Sequence, residues 1–395
     1  MFTRFLSILL LFTWSFPVCA QDKTVKSWYD DSRTILKESY GVIAGPGATD
    51  IKHGRYLIYY QNGKLWQEGN FENGQLTGLW KDYYDDGSLK QELLYDKGLL
   101  NGETKYYYPS GKLQQRIGYR NDLLNGLVTM YYENGNLQES CFYKDNLPEG
   151  ELKTFYENGK PRFVKTIKKG VENGPSVSYY DNGKIQERSF KVNGKYDGLF
   201  TDYYKDHSDG AVNKTCYYSN GMLNGKMTGY YPGGNIMVEC NYVNDLITGD
   251  FTEYYDSKGE VKERGGYKDN MKNGPWRSYY PGGKVYSEGN FQNSFLDGAW
   301  IVYWPDGKLK QTGSYKTGKA EGEWLFYYES GELKNSGIFI NGSKEGLWKT
   351  YYTSGEIMTE ITFRNGERDG PAKGYSKEGK LVENVNYRKG VKIDE

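Results

Sequence analysis

A glycine returns every 24 residues along this chain, fourteen times, with one interval of 27 and one of 25. The series runs Gly54, Gly78, Gly102, Gly126, Gly150, Gly174, Gly198, Gly225, Gly249, Gly274, Gly298, Gly322, Gly346 and Gly370. A period of this length requires small units stacked in a row, each burying its apolar side against its neighbours. That requirement overrides the two or three globular domains that 395 residues would otherwise imply. It also directs the search for function toward long surfaces rather than a single deep pocket.

Residues 126–149, GLVTMYYENGNLQESCFYKDNLPE, show one unit. Five residues after the leading glycine the position is aromatic in every repeat, from Tyr59 to Tyr375, with Phe155 the one non-tyrosine. The sixth is aromatic in all but the last, where Ser376 stands. Adjacent strand residues point to opposite faces, which predicts one ring on each side of a sheet. Aromatic content and the lack of a 3.6-residue stripe favour strand over helix. Three residues ending in glycine follow, such as Glu133-Asn134-Gly135, and fit a type I turn closed by a left-handed residue. The second strand carries an aliphatic two residues later (Leu65, Leu89, Leu137) and an aromatic after eight (Phe71, Tyr95, Tyr143). A polar loop such as Glu72-Asn73-Gly74 leads on. Each repeat therefore reads as one β-hairpin. The fold class expected is all-β: an elongated single-layer antiparallel sheet of about 14 tandem hairpins of about 24 residues. Two strands per repeat at about 4.8 Å each advance it by roughly 9.6 Å, giving a ribbon on the order of 130 Å.

The ends divide as follows. Residues 1–20 read as a signal peptide, with Arg4, the apolar stretch Leu6 to Trp14, and Val18-Cys19-Ala20 before a cleavage point near Ala20. Residues 21–53 are a degenerate capping repeat, aligned with Ser32 at the turn glycine, followed by an insertion over 41–53. Repeats fill 54–390, and 391–395 form a short tail. The seventh repeat carries a longer turn, Lys205 to Gly210. Export places the mature chain in a periplasm, at a cell surface or outside the cell.

Tyrosine (40) and glycine (51) are abundant while mean hydropathy is −0.81, which suits a thin sheet with much exposed surface. Acidic and basic residues balance at 51 each and alternate. No basic block is present to hold nucleic acid or anionic lipid, so both are disfavoured as partners.

The undiluted copies GLWKDYYDDGSLKQELLY (78–95) and GLWKTYYTSGEIMTEITF (346–363) give the pattern G-x-W-x-x-Y-Y-x-x-G-x-L-x-x-x-G-x-Y. This resembles the MORN repeat variant of bacteria, over about 85% of the chain. The resemblance implies a sheet of successive hairpins used as an interaction scaffold. Some bacterial relatives are labelled YwqK-type antitoxins, a label that sits poorly with export.

Catalytic chemistry has little footing. Cys141, Cys216 and Cys240 each lie six residues after a turn glycine, in a column otherwise held by Gly69, Gly265, Gly289, Gly313, Gly337 and Val385. The roughly 9.6 Å step exceeds a disulfide's reach, so they read as packing thiols. His53 and His207 stand in no zinc or triad spacing. GPGATD (45–50) resembles a phosphate loop superficially but lacks its third glycine and its lysine-serine pair. No enzyme, metal or cofactor is expected.

One stripe stands out. Trp276, Trp300, Trp324 and Trp348 share the second position of successive repeats, on the parity of Tyr280, Trp304, Tyr328 and Tyr352. A packing ladder is the first reading, and a ligand platform for sugar rings or a protein is the second. The function expected is an exported, non-enzymatic scaffold that binds a protein along its sheet. A glycan- or peptidoglycan-binding surface and an antitoxin-like inhibitor are the alternatives. Open strand edges also allow edge-to-edge self-association.

Overall fold

A computed structural model describes residues 23–207, 210–257 and 259–393. The expected signal peptide, residues 1–20, and the last two residues of the tail fall outside them. Among the described residues there are 34 strands and one three-residue 3-10 turn, Pro46–Ala48. The chain forms two compact units. One comprises residues up to Pro161 with Ile167–Gly170, the other Arg162–Thr166 with Val171 onward.

Within each unit the long strands follow one another as antiparallel neighbours; where Leu99–Leu100, Lys195–Tyr196 or Met271–Lys272 forms a short strand of its own, the strand before it pairs with both that piece and the strand that follows. This is one layer of hairpins, as expected. The reason lies in the two connections. In the first, Tyr60 N–H donates to the Lys64 carbonyl (2.8 Å) and Gly63 N–H to the Tyr60 carbonyl (2.9 Å), with Gly63 at φ 84°. That is the expected tight turn closed by a left-handed glycine. The second, read from sequence only as a polar loop, is equally tight. Asn73 and Gly74 both have positive φ, 50° and 82°, the two-residue turn whose twist matches its flanking strands.

Where that second glycine is absent, the replacement works for its position. Asp122, Asn146, Asp245, Asn270 and Ser294 stand there at φ 65–68°. Their side-chain oxygens accept from the backbone N–H of Leu100, Leu124, Leu223, Ile247 and Lys272 in the preceding turn region, at 2.6–3.0 Å. The leading glycines have their own reason. All fourteen have φ between 68° and 132°, marking a bend in the first strand that a Cβ would strain.

The N-terminal residues of the capping segment form a hairpin. Lys23–Trp28 pairs with Leu36–Ala44, and Arg33, not Ser32, is the left-handed residue (φ 57°). Asp30 stabilises the longer turn by accepting from Thr34 and Ile35, and these bonds hold its carboxyl below the usual range. Residues 41–44 and 50–53 of the predicted insertion belong to paired strands, leaving a short connection at 45–49. GPGAT of the GPGATD segment makes up that connection, and Asp50 opens the next strand.

The buried apolar side chains gather on one face. Tyr56, Trp80 and Leu93 form a buried cluster, covered by Tyr40, Ile58, Phe71, Leu76, Tyr95, Leu100 and Tyr106. Burial within one layer is achieved because large rings lie flat along the sheet. A Cβ built on Gly69 would fall inside the Trp80 indole, and the same holds for Gly265 under Trp276, Gly313 under Trp324 and Gly337 under Trp348.

Candidate binding face

The tyrosine pair of each repeat divides its labour. The sixth-position hydroxyl reaches into the next hairpin and donates to the carbonyl of its fifth-position residue. Tyr60 bonds Tyr83, Tyr84 bonds Tyr107, and Tyr108 bonds Tyr131, at 2.7–2.9 Å. The second unit repeats this from Tyr180 to Tyr203 and on to Tyr352 and Tyr375, at 2.7–2.9 Å. These rungs satisfy carbonyls left free where the ladder breaks at the turn. Trp304 interrupts them, and its buried Nε1–H has no partner.

The fifth-position hydroxyl turns instead toward the face opposite the indoles. Tyr83 donates to Glu68 (2.8 Å) and Tyr107 to Glu92 (2.9 Å). In the second unit Tyr254 donates to Glu239 (3.0 Å) and Tyr303 to Glu288 (2.8 Å). A base completes each group: Arg55 beside Glu68 (3.2 Å) and Arg277 beside Glu288 (2.7 Å). The Tyr303 hydroxyl, then Arg277, hold the Glu288 carboxyl below its ordinary value. Burial and then Glu68 push Tyr83 up to about 12. This face is therefore a charged one, built from ordered triads rather than loose surface charge.

Apolar pairs stand among those charges. Leu127 and Phe142 face each other across a hairpin, 57% and 47% exposed. Leu79 opposite Leu94, Pro175 opposite Phe190 and Leu199 opposite Tyr217 repeat the arrangement. Farther along the second unit the same positions carry small residues: Gly266, Pro275, Asn290 and Ala299. A cleft of about 850 Å³ opens there, with Arg264, Arg277, Glu288 and Ile301 among its walls. A smaller one of about 260 Å³ in the first unit is lined by Arg55, Glu68, Gly69, Asn70, Leu79 and Lys81.

The repeat profile described as MORN repeat variant matches eleven segments: 52–73, 76–97, 100–121, 124–145, 148–169, 172–191, 223–244, 272–293, 296–317, 320–341 and 344–365. Together they cover more than half of the sequence. The chain belongs to the MORN repeat variant family. Two unmatched stretches, 192–222 and 245–271, hold the lengthened turns that stretch their intervals to 27 and 25 residues. MORN repeats generally form non-catalytic scaffolds, often protein-binding, and the match carries no antitoxin assignment. No curated protein matches the chain. Among solved structures it is similar, at 11% identity, to TcdB2-TccC3-Cdc42, to the Photorhabdus luminescens Tc holotoxin pore, and to TcdB2-TccC3 without its hypervariable C-terminal region. The alignments cover 90, 91 and 92% of this chain and 24, 23 and 23% of those chains, with TM-scores of 0.14, 0.15 and 0.16. The chain spans about a quarter of the length of these structures.

The MORN repeats place the tryptophan row on the buried face. Trp276, Trp324 and Trp348 are 4, 3 and 6% exposed, and Trp300 is half-buried. Trp324 stacks on Phe326 and meets Phe339 edge-on, while the Lys344 ammonium caps Trp348 at 4.2 Å. Rings covered in this way cannot stack on a sugar, so these three form the packing ladder rather than the ligand platform. Tyr280, Trp304, Tyr328 and Tyr352 are half-buried at the hairpin ends, where the three tyrosines make the rungs described above.

Cys141, Cys216 and Cys240 are buried free thiols whose pKa values burial raises. The cross-strand neighbour of both Cys216 and Cys240 is Met227, which lies between them. His53 accepts from Asn73 N–H through Nδ1 (3.4 Å), and the His207 ring packs on Tyr204. Among the described residues no His, Cys, Asp and Glu group has the geometry of a metal site. No helix among them is long and apolar enough to cross a membrane. The sequence reading missed the cleft and its apolar flanks. Their signal was present in the residue following each leading glycine, where Leu79, Leu127, Leu199 and Leu347 give way to Pro275 and Ala299.

Proposed function

We propose that this MORN repeat chain is an exported, non-catalytic scaffold that holds another protein against the charged face of its sheet. One observation carries the reading: paired apolar side chains stand exposed at Leu127/Phe142 and Leu199/Tyr217, inside ordered rows of opposite charge. Apolar anchors within a polar surround are the composition of protein interfaces. The triads hold their side chains in place, so little entropy is lost when a partner docks.

Photo-crosslinking groups placed at Leu127 and Leu199, with Asp85 in an exposed turn as control, test the reading. A discrete crosslinked protein is expected from the two face positions and not from the turn. Equal labelling from all three, or none from the face, removes it. Export rests on residues 1–20, and N-terminal sequencing of the mature chain is expected to begin at Gln21.

A further inference from the structure

The row of third-position side chains on the charged face mostly pairs bases with acids or neutral residues. Lys81 faces Glu92, Arg277 faces Glu288 and Lys349 faces Glu360. Two pairs break this rule: Lys105 stands opposite Arg116, where Glu92 and Glu103 supply carboxylate partners, and Arg264 stands directly opposite Arg277, with Thr252 on its other side. Like charges directly opposite one another destabilise a sheet. Arg277 donates through Nε to Glu288, which also accepts from Tyr303. Arg264 makes no ion pair among the described residues, and its guanidinium lies over the Tyr279 ring at 5.6 Å. This guanidinium pair, of which only Arg277 has a carboxylate partner, sits in the 850 Å³ cleft, where Pro275, Ala299 and Ile301 supply apolar surface.

We propose that this cleft takes an acidic, partly apolar polypeptide segment, one carboxylate of which bridges Arg264 and Arg277. The inference rests on the scaffold reading and names the chemistry of its partner. A carboxylate offers two acceptors to a planar fork and a single charge to neutralise. A phosphate dianion fits less well than a single carboxylate, because Asp250 and Glu288 also line the cleft and their repulsion grows with the ligand's charge. A neighbouring aliphatic side chain of the segment rests on Ala299 and Ile301.

The mature chain is titrated with a dye-labelled peptide of alternating Glu and Leu, followed by fluorescence anisotropy. Replacing Glu by Gln in the peptide, or Arg264→Gln in the protein, is expected to weaken binding by about tenfold or more. Ala299→Leu, which installs the residue found at Leu127 and Leu199, fills the cleft and removes binding. Arg264→Gln relieves the like-charge contact, so its melting temperature stays level or rises while affinity falls. That divergence separates a binding residue from a structural one. The proposal is overturned if the Glu-Leu peptide does not bind, or binds Arg264→Gln and Ala299→Leu as it binds the parent. Competition by tripolyphosphate or phosphatidylserine vesicles as strong as by the peptide also overturns it. If crosslinking from Leu127 and Leu199 succeeds while these results go against the cleft, this inference falls and the scaffold reading stands. Failure of crosslinking with intact peptide binding gives the reverse.

Discussion

Two stretches of the second unit fill the same buried column in opposite ways. From Cys216 to Phe251 neighbouring strands share the volume, in the order Cys216, Met227, Cys240, Phe251. From Gly265 to Trp348 one strand supplies all of it, as glycine and tryptophan alternate through Trp276, Gly289, Trp300, Gly313, Trp324 and Gly337. Beyond them the column changes again, to Ile361 and Ala372. What the sheet requires is a filled column, and the division between partners is free. Interiors packed to this density tolerate redistribution of volume better than its gain or loss. The cysteines are therefore medium-sized fillers, and the glycines beneath the indoles are there for space rather than for a turn.

The sharpest break in the comparison is to add volume where tryptophan already fills the column. Gly313→Val drives two methyls into the Trp324 indole, and a loss of about 3 kcal/mol is expected. Hydrogen exchange of the amides in Phe295–Tyr303 and Lys319–Tyr327 should register it locally, since arrays open in pieces. Cys216→Val, in the shared stretch, should cost less than half as much.

Transplanting the alternation is a gentler test. Cys240→Gly combined with Phe251→Trp recreates the glycine-tryptophan order next to Gly265. Together they are expected to cost less than about 1.5 kcal/mol by denaturant unfolding, whereas Phe251→Trp alone exceeds that. A double variant no better than its worse single would show that the two stretches are not interchangeable.

The hydroxyl rungs run past both stretches and should be indifferent to which one they border. Tyr231→Phe, beside the shared stretch, and Tyr280→Phe, beside the tryptophan stretch, each remove one bond to a carbonyl. Each should cost about 1 kcal/mol. Trp304→Tyr supplies the missing rung and is expected to gain a similar amount. Its melting temperature decides, and a fall would mean that the indole's packing outweighs the bond.

The smallest effect concerns the opposite face. Glu288 has a folded pKa below its ordinary value, so its contribution is complete above that value of 4.5 and is lost as pH falls through the folded one. Tyr303→Phe removes the largest cause, and carbon-detected NMR titration should find the Glu288 midpoint moved upward. An unchanged midpoint would leave Arg277 as the sole holder of this carboxylate.

Much of this was legible in the sequence because the period is exact enough to tabulate. The hairpin, its left-handed turn glycine and both tyrosine rows follow from single columns. The column sharing was harder to see, because the residues that touch belong to different repeats: Gly265 and Trp276 are separated by a tight turn. The second turn was hidden where Asp122 or Ser294 replaces glycine, since the compensating bond goes to a backbone amide in another hairpin. Backbone acceptors leave no mark in a sequence, so the tyrosine rungs were invisible too. The buried lie of Trp276, Trp324 and Trp348 could have been inferred from the glycines beneath them, had the two columns been read together.

The claim that neighbours share one fixed volume is tested most directly at Gly337 and Trp348. Gly337→Ile and Trp348→Ala together reproduce the order Trp348, Ile361, Ala372 one repeat earlier. Each single substitution should destabilise strongly, the first by crowding and the second by leaving a cavity. In a double-mutant cycle the pair should recover at least about 2 kcal/mol relative to the sum of the singles. Losses that simply add would contradict the account.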